Sequence, residues 1–163
     1  MKQLLQQYAA YNVWANKRIV ETAAQLSDEQ INRDIVSSFP SIYKTVMHMM
    51  EVENVWWQRL QLVEQTTPPG WFTGNFSELS KKILELSQQW ERWVQNANDA
   101  NINHVFAWYN LKKEYFKEPV YKMLLHLFNH QTLHRGQLIT MFRQLGLDKI
   151  PSTDFIVFAR NKK

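Results

Sequence analysis

Cysteine is absent from the 163 residues, and disulfide staples, thiolate metal ligands and a cysteine nucleophile are excluded with it. That absence fits a reducing compartment. Glycine and proline are scarce, at 4 and 5 residues, and they cluster between long periodic segments, which favours helices over a turn-rich sheet. No apolar run approaches the roughly 18 residues a membrane span needs. The start, Met1-Lys2-Gln3-Leu4-Leu5, lacks a basic head followed by an apolar stretch, so no signal peptide is read. A soluble, cytoplasmic protein is expected. Charge of one sign is also lacking. Nineteen basic against fifteen acidic residues leave +4, part of it in Arg160, Lys162 and Lys163, and the remaining cations are scattered among Glu and Gln. Nucleic-acid binders concentrate their basic residues on one face, so nucleic acid is not an expected partner.

What is present is apolar mass. Hydrophobic residues make up 45% and aromatics 13%, enough to build one compact core. A single domain over 1–163 is expected. Leu4, Tyr8, Tyr11, Ala15, Ile19 and Ala23 keep one helical face to about Leu26. Ser27-Asp28-Glu29-Gln30 reads as a stop or a capped restart, and residues 31–40 as a connector. A second helix is predicted to open near Ser38-Phe39-Pro40-Ser41 and to run to about Val63. Thr66-Thr67-Pro68-Pro69-Gly70 ends it, and Trp71 to Phe76 forms an aromatic-rich loop able to close over a pocket. A third helix opens at Ser77 and fades at Asn96 to Asp99. The alternation of Val105, Ala107 and Tyr109 with Phe106 and Trp108, followed by Glu114-Tyr115-Phe116, predicts a small β-hairpin. Pro119 starts the last long helix, ended by Gly146, and Phe155 to Arg160 forms a short closing helix. The fold class is all-α, four long helices with one hairpin insert before the last.

His126, His130 and His134 recur at intervals of four on the last long helix. Each step turns about 40° and climbs about 6 Å, so neighbouring members can point two imidazoles at one cation. His126 and His134 stand about 80° apart, which disfavours their chelating together; His126 can pair with His130, support the site or pack. The spacing is that of helical zinc-binding histidine pairs, but position 131 is Gln, so a protease-type general base is missing there. His48, among Met49, Met50, Val52 and Trp56 on the second helix, turns inward on this reading and adds a third neutral nitrogen, the ligand set of an open catalytic site. The alternative is a buried histidine bonded to a backbone carbonyl. His104 has no neighbour at ligand spacing and is read as exposed.

Thr45-Val46-Met47-His48-Met49 with Trp56, and above all His130-Gln131-Thr132-Leu133-His134-Arg135-Gly136-Gln137, resemble the DinB/YfiT-like family. Tyr11 to Asn16 and Pro151-Ser152-Thr153-Asp154-Phe155 extend the resemblance over nearly the whole chain. It implies a four-helix bundle with up-down-down-up connections and a divalent metal held by His48, His130 and His134, leaving His126 outside. It also implies a homodimer. Some members of that family are thiol-dependent transferases or isomerases using a low-molecular-weight thiol such as bacillithiol or mycothiol; others, including the DNA-damage-inducible members, have no settled activity.

Three imidazoles leave a bound cation its full charge, which favours an anionic partner. An external thiol attacking a small electrophile is the preferred reaction, which makes the protein an S-transferase; a metal-dependent hydrolase is the runner-up. A non-catalytic DNA-damage or stress-associated metal protein, or a metal sensor, ranks lower. Nitrogen ligands suggest zinc or nickel. Asn129, Gln131, Glu51 and Asp154 are candidates to orient the imidazoles. Arg135 is assigned an interhelical salt bridge or helix-end contact and Gly136 close helix packing. Glu53, about 140° from His48, is placed outside the ligand set. Trp14, Trp56, Trp90 and Trp93 fall on core stripes, Trp57 on a dimer interface or pocket rim, and Trp71 and Phe72 over a pocket.

Overall fold

The computed structural model of the chain describes residues 1–110 and 112–160; Lys162 and Lys163, counted above in the charge excess, lie outside them. The elements in chain order are α1 (Lys2–Ala23), α2 (Asp28–Asn32), α3 (Ile42–Leu60), α4 (Phe76–Asn96), α5 (Asp99–Asn103), β1 (Val105–Tyr109), β2 (Tyr115–Pro119), α6 (Val120–Gln144) and α7 (Phe155–Arg160). Four long helices and one two-stranded antiparallel hairpin were legible beforehand; α5, a single turn, was not.

Helix starts follow capping chemistry more closely than apolar periodicity. Ser27 and Gln30 form a reciprocal capping box on α2. Ser41, rather than Ser38, caps α3 by accepting the Lys44 N–H at 3.1 Å, so Pro40 precedes the cap instead of occupying the first turn. Asn75 caps α4 in a box with Glu78, which makes Phe76 the first helical residue and moves the start ahead of Ser77. Asn98 does the same for α5 with Asn101. At the other end α3 stops at Leu60, short of Val63, and Leu62 turns left-handed at φ 56°. Gly146, at φ +82°, follows the last turn of α6, the position where a residue without Cβ is least strained.

Side-chain pairings give the direction of each long helix. Gln6 reaches Gln95 and Asn16 reaches Ser87, so α1 and α4 run antiparallel. Ile42 and Val46 share a core cluster with Phe76 and Leu79, while Trp56 shares another with Trp90 and Val94, so α3 and α4 run parallel. Thr45 meets Met141, His48 meets His130 and Trp56 meets His126, so α6 runs antiparallel to α3. The bundle is up-down-down-up.

A parallel α3–α4 pair requires the chain to travel back the length of the bundle between them. Residues 61–75 do this against α3 itself. Thr67 is held by Asn54 and Gln58, the Gly70 N–H donates to Glu51, and the Tyr43 hydroxyl donates to the Gly74 carbonyl at 2.6 Å. These anchors descend α3 in number as the strap ascends. The hairpin fills the opposite end, where α4 turns into α6.

Two apolar clusters lie along the bundle axis. One gathers Ile19, Ile42, Met49, Ile83 and Phe142; the other gathers Leu5, Trp56, Trp90, Leu124 and Phe128. Trp93 packs partly buried at the edge of the second, and Trp14 half-buried beside Tyr11 and Phe158. Trp57 stands edge-on to Trp90 at 5.1 Å and, with Trp93 and Arg92, lines a surface cleft of about 360 Å³. Among the described residues no helix is long and apolar enough to cross a membrane.

Gly136 corrects an expectation. It is exposed, and a Cβ built on it meets nothing within 4 Å, so it does not allow close packing. A helical glycine on an open face costs conformational entropy with no packing return. Gly136→Ala is expected to stabilise the protein by about 0.5–1 kcal/mol, read as a raised midpoint in urea unfolding.

Candidate metal centre

Antiparallel packing of α3 on α6 sets His48 opposite His130, and the helical step of four stacks His134 one turn further on. Three ring nitrogens converge. His48 Nε2 lies 3.0 Å from His130 Nε2, which lies 3.1 Å from His134 Nε2. The ligand atoms of all three lie within 4.8 Å of one another, a grouping able to hold a metal ion. Separations near 3 Å suit nitrogens bonded to one centre at about 2.0–2.1 Å.

Protons alone cannot satisfy this cluster. His134 Nδ1 lies 2.8 Å from the Gln137 amide oxygen; that oxygen only accepts, so Nδ1 carries the hydrogen and the neutral ring presents its Nε2 lone pair to the cluster. His130 Nε2, in the middle, must act either as donor or as acceptor. As acceptor it opposes the lone pair of His134. As donor it has one hydrogen for two neighbours. A shared cation satisfies all three lone pairs at once, so the residues fit a divalent metal.

Electrostatics keep the rings neutral. Burial, and then the neighbouring His134, lowers the pKa of His48 to about 4. Burial followed by His134, His48 and His126 lowers His130 to about 3. His134 is also lowered, by burial, with the Gln137 bond opposing. Depressed histidine pKa values contribute stability that is complete above the unfolded value near 6.5 and is lost as pH falls toward the folded values. Acidification from pH 7 to pH 4.5 is therefore expected to destabilise the protein and to release bound metal. Urea midpoints and metal content measured across that range check it.

The surroundings only partly match expectation. Gln137, not among the candidates, orients His134 and in turn donates to Ser38; its place three residues after His134 was the available signal. Phe39, also unanticipated, stacks on His48 with centroids 4.0 Å apart and stands edge-on to His134 at 5.6 Å. Asn129 is exposed, and Asp154 hydrogen-bonds Ser152 at the start of α7, so the candidates Asn129 and Asp154 do not orient the imidazoles. Gln131 is buried and acts on the backbone, donating to the Met49 carbonyl at 2.9 Å, which ties α6 to α3 beside His48. His126 packs edge-on to Trp56 at 5.5 Å and stays outside the converging set. His104 is exposed, as expected.

The strap between α3 and α4 lines a cavity beside His48, but with a different segment than expected. Thr66, Thr67 and Pro69 line a cavity of about 180 Å³ together with His48, Glu51 and Trp56. Trp71 and Phe72 instead pack against the apolar core.

Behind the histidines lies a buried polar layer. Arg135 Nη1 donates to the Asn12 and Asn16 side-chain oxygens at 2.7 and 2.8 Å, and Nη2 to Thr132 Oγ1 at 2.8 Å. The amide nitrogens of Asn12 and Asn16 donate onward to Glu53, at 2.8 and 3.4 Å, and Ser87 completes the carboxylate at 2.9 Å. Arg135 and Glu53 are thus joined through two amides, linking all four long helices. In place of a direct interhelical salt bridge or a helix-end contact, Arg135 meets Glu53 through two neutral amides, and Glu53 stays away from the histidines.

An up-down-down-up bundle with a three-histidine cluster able to hold a metal ion between its second and fourth long helices defines the class of protein. The model of the DinB family matches residues 1–162, and the chain belongs to that family. Protein DinB of Bacillus subtilis (strain 168) is 29% identical over 158 residues, covering 89% of this chain and 87% of that protein. A DinB-like protein from Bacillus cereus ATCC 10987 superposes with a TM-score of 0.71 at 18% identity, over 91% of this chain and 94% of that one. YfiT from Bacillus subtilis, a probable metal-dependent hydrolase with an unusual four-helix bundle topology, superposes with a TM-score of 0.72 at 13% identity, over 91% of both chains. At those identities the two structural likenesses establish the fold.

Proposed function

We propose that this protein is a metal-dependent enzyme acting on a small molecule, with zinc or nickel held by His48, His130 and His134. One observation carries the reading: three inward Nε2 atoms, 3.0 and 3.1 Å apart in sequence, that no assignment of protons satisfies. A divalent ion held by neutral imidazoles keeps its full charge and, when bound, eases deprotonation of a thiol or water placed on it.

The chain's own residues supply the rest. Gln137 holds the His134 ring in the tautomer that offers Nε2. Phe39 covers the His48 face, and the strap residues Thr66, Thr67 and Pro69 line one side of the cavity. Glu51 is the one acidic residue lining that cavity, with one oxygen accepting the Gly70 N–H, and serves as acceptor for the proton that the incoming nucleophile releases. The chain has no cysteine, so a thiol nucleophile arrives with the substrate. Transfer of an external thiol to a small electrophile is the first reading. Hydrolysis is the second, favoured by the fold shared with YfiT, named as a probable metal-dependent hydrolase.

Elemental analysis of the purified protein beside His134→Ala tests the site. About one metal per wild-type chain and little in the variant is expected; metal retained at one per chain in the variant removes His134 from the ligand set. A screen of thiols with electrophiles, run beside esters and amides, tests the reaction. Turnover of esters or amides without any thiol dependence would overturn the transferase reading.

A further inference from the structure

The cavity beside His48 has a second chemical end. His48, Val52, Val55, Trp56 and Arg59 all line it from one face of α3, with His48 and Arg59 about three turns apart, on the order of 16 Å of axial rise. Between them the wall is apolar, from the two valines, Trp56 and Pro69 of the strap.

Arg59 is held in an unusual way. Its guanidinium lies 4.6 Å from the Trp56 ring centroid and 4.5 Å from that of Trp108, so two indoles, themselves edge to face at 4.8 Å, fix the group. Its hydrogen-bonding is nearly unused. Nη2 donates to the Tyr109 carbonyl at 3.3 Å, and Nε is buried without a partner. No carboxylate pairs with it: the ion pairs among the described residues are Lys17–Glu21, Arg33–Glu29, Lys81–Glu85 and Lys122–Glu118. Glu51 is engaged by Gly70 toward the histidine end. Glu64 lines an adjoining cavity with Arg59 and Lys113, without pairing to either. A partly desolvated cation with idle donors is costly unless an anion completes it, and a guanidinium fork matches a carboxylate with two parallel bonds.

We propose that Arg59 is the anion-recognising end of this cavity, and that the substrate is a small carboxylate with a short apolar body whose other end is directed toward His48. The inference rests on the metal-dependent reading above and specifies its substrate class. The cavity volume of about 180 Å³ falls below the roughly 300–1,000 Å³ of pockets for drug-sized ligands, which limits the body to a short chain or a single ring.

The test compares hexanoate with 1-hexanol, the same chain without the charge, by tryptophan fluorescence and calorimetry. Full-length protein is used as purified and again after EDTA treatment, so that binding to metal alone is separated from binding to Arg59. Wild type is expected to prefer the acid by about tenfold or more in both preparations, and Arg59→Gln to bring that ratio near one with metal content unchanged. A wild-type ratio near one after EDTA treatment, or an undiminished ratio in Arg59→Gln, overturns the proposal. If Arg59→Gln does not fold, the wild-type ratio still decides, with Arg59→Lys expected to keep a reduced preference. Metal content is read on the same samples: one metal per chain without acid preference defeats this inference and spares the metal-dependent reading, and acid preference without metal does the reverse.

Discussion

His130→Ala is expected to abolish metal binding and with it any metal-dependent gain in thermal stability. His130 is the middle ring: its Nε2 contacts those of both His48 and His134, which are not paired with each other by a hydrogen bond. Removing it leaves only two nitrogens, from different helices, and takes away the ring that contacts both. Loss of a group that merely orients a ligand costs about 10–100-fold in metal affinity, the size expected for Gln137→Ala, and loss of the central ligand should exceed it. A metal present at 100 times its dissociation constant stabilises the native state by about 2.7 kcal/mol. Wild type should therefore show a clear rise in unfolding temperature on adding zinc or nickel, reversed by EDTA, and His130→Ala none. A variant that keeps the wild-type response would show that the ion sits elsewhere.

Arg135→Met is expected to be the most destabilising single change at a position that touches none of the converging nitrogens. Arg135 is almost wholly buried and its charge is answered by Glu53 through Asn12 and Asn16. Removing one partner of a buried charge pair costs about 3–5 kcal/mol, because the other charge is left uncompensated. The cost should depend on pH in a defined direction. Burial raises the Glu53 pKa from 4.5 to about 7, against the lowering effect of Asn12, Ser87 and Arg135. A raised carboxyl pKa contributes a stability that is complete below the unfolded value and is lost as pH rises through the folded one. Without the arginine the folded value climbs further, so the penalty of Arg135→Met should be smaller at pH 5 than at pH 8. Arg135→Met combined with Glu53→Gln should recover part of it. Urea unfolding of the single and double variants at the two pH values provides the measurement; equal penalties at both would show that Glu53 carries no charge the arginine answers.

The two results bear on different parts of the same device. The polar layer ties α1, α3, α4 and α6 in register, through Asn12, Asn16, Glu53, Ser87 and Arg135. Gln131 extends it to the backbone beside His48. Register between α3 and α6 is what brings His48 within 3.0 Å of His130. A shift of one helical turn would separate them by about 5.4 Å and dissolve the site.

By itself the sequence determined the class of fold, the long helices, the hairpin and the histidine series, because these depend on local rules: apolar spacing, alternation and the 3.6-residue turn. The residues around His48 allow an inward ring or one tied to a backbone carbonyl, and the whole-chain family resemblance selects its convergence with His130 and His134, since spacing can align residues within a helix but not across two. Of the Ser38 to Ser41 stretch expected to open the second helix, Ser41 supplies the cap, and the start expected at Ser77 moves to Phe76 because Asn75 takes the orphan N–H groups. Only the tertiary structure decided that Gln137 and Phe39 attend the histidines, that Thr66 to Pro69 rather than Trp71 and Phe72 wall the cavity, and that Arg59 shares it. Those relations join residues far apart in the chain, and they are set by the packing of one helix on another and by the strap that a parallel pair of helices obliges the chain to make.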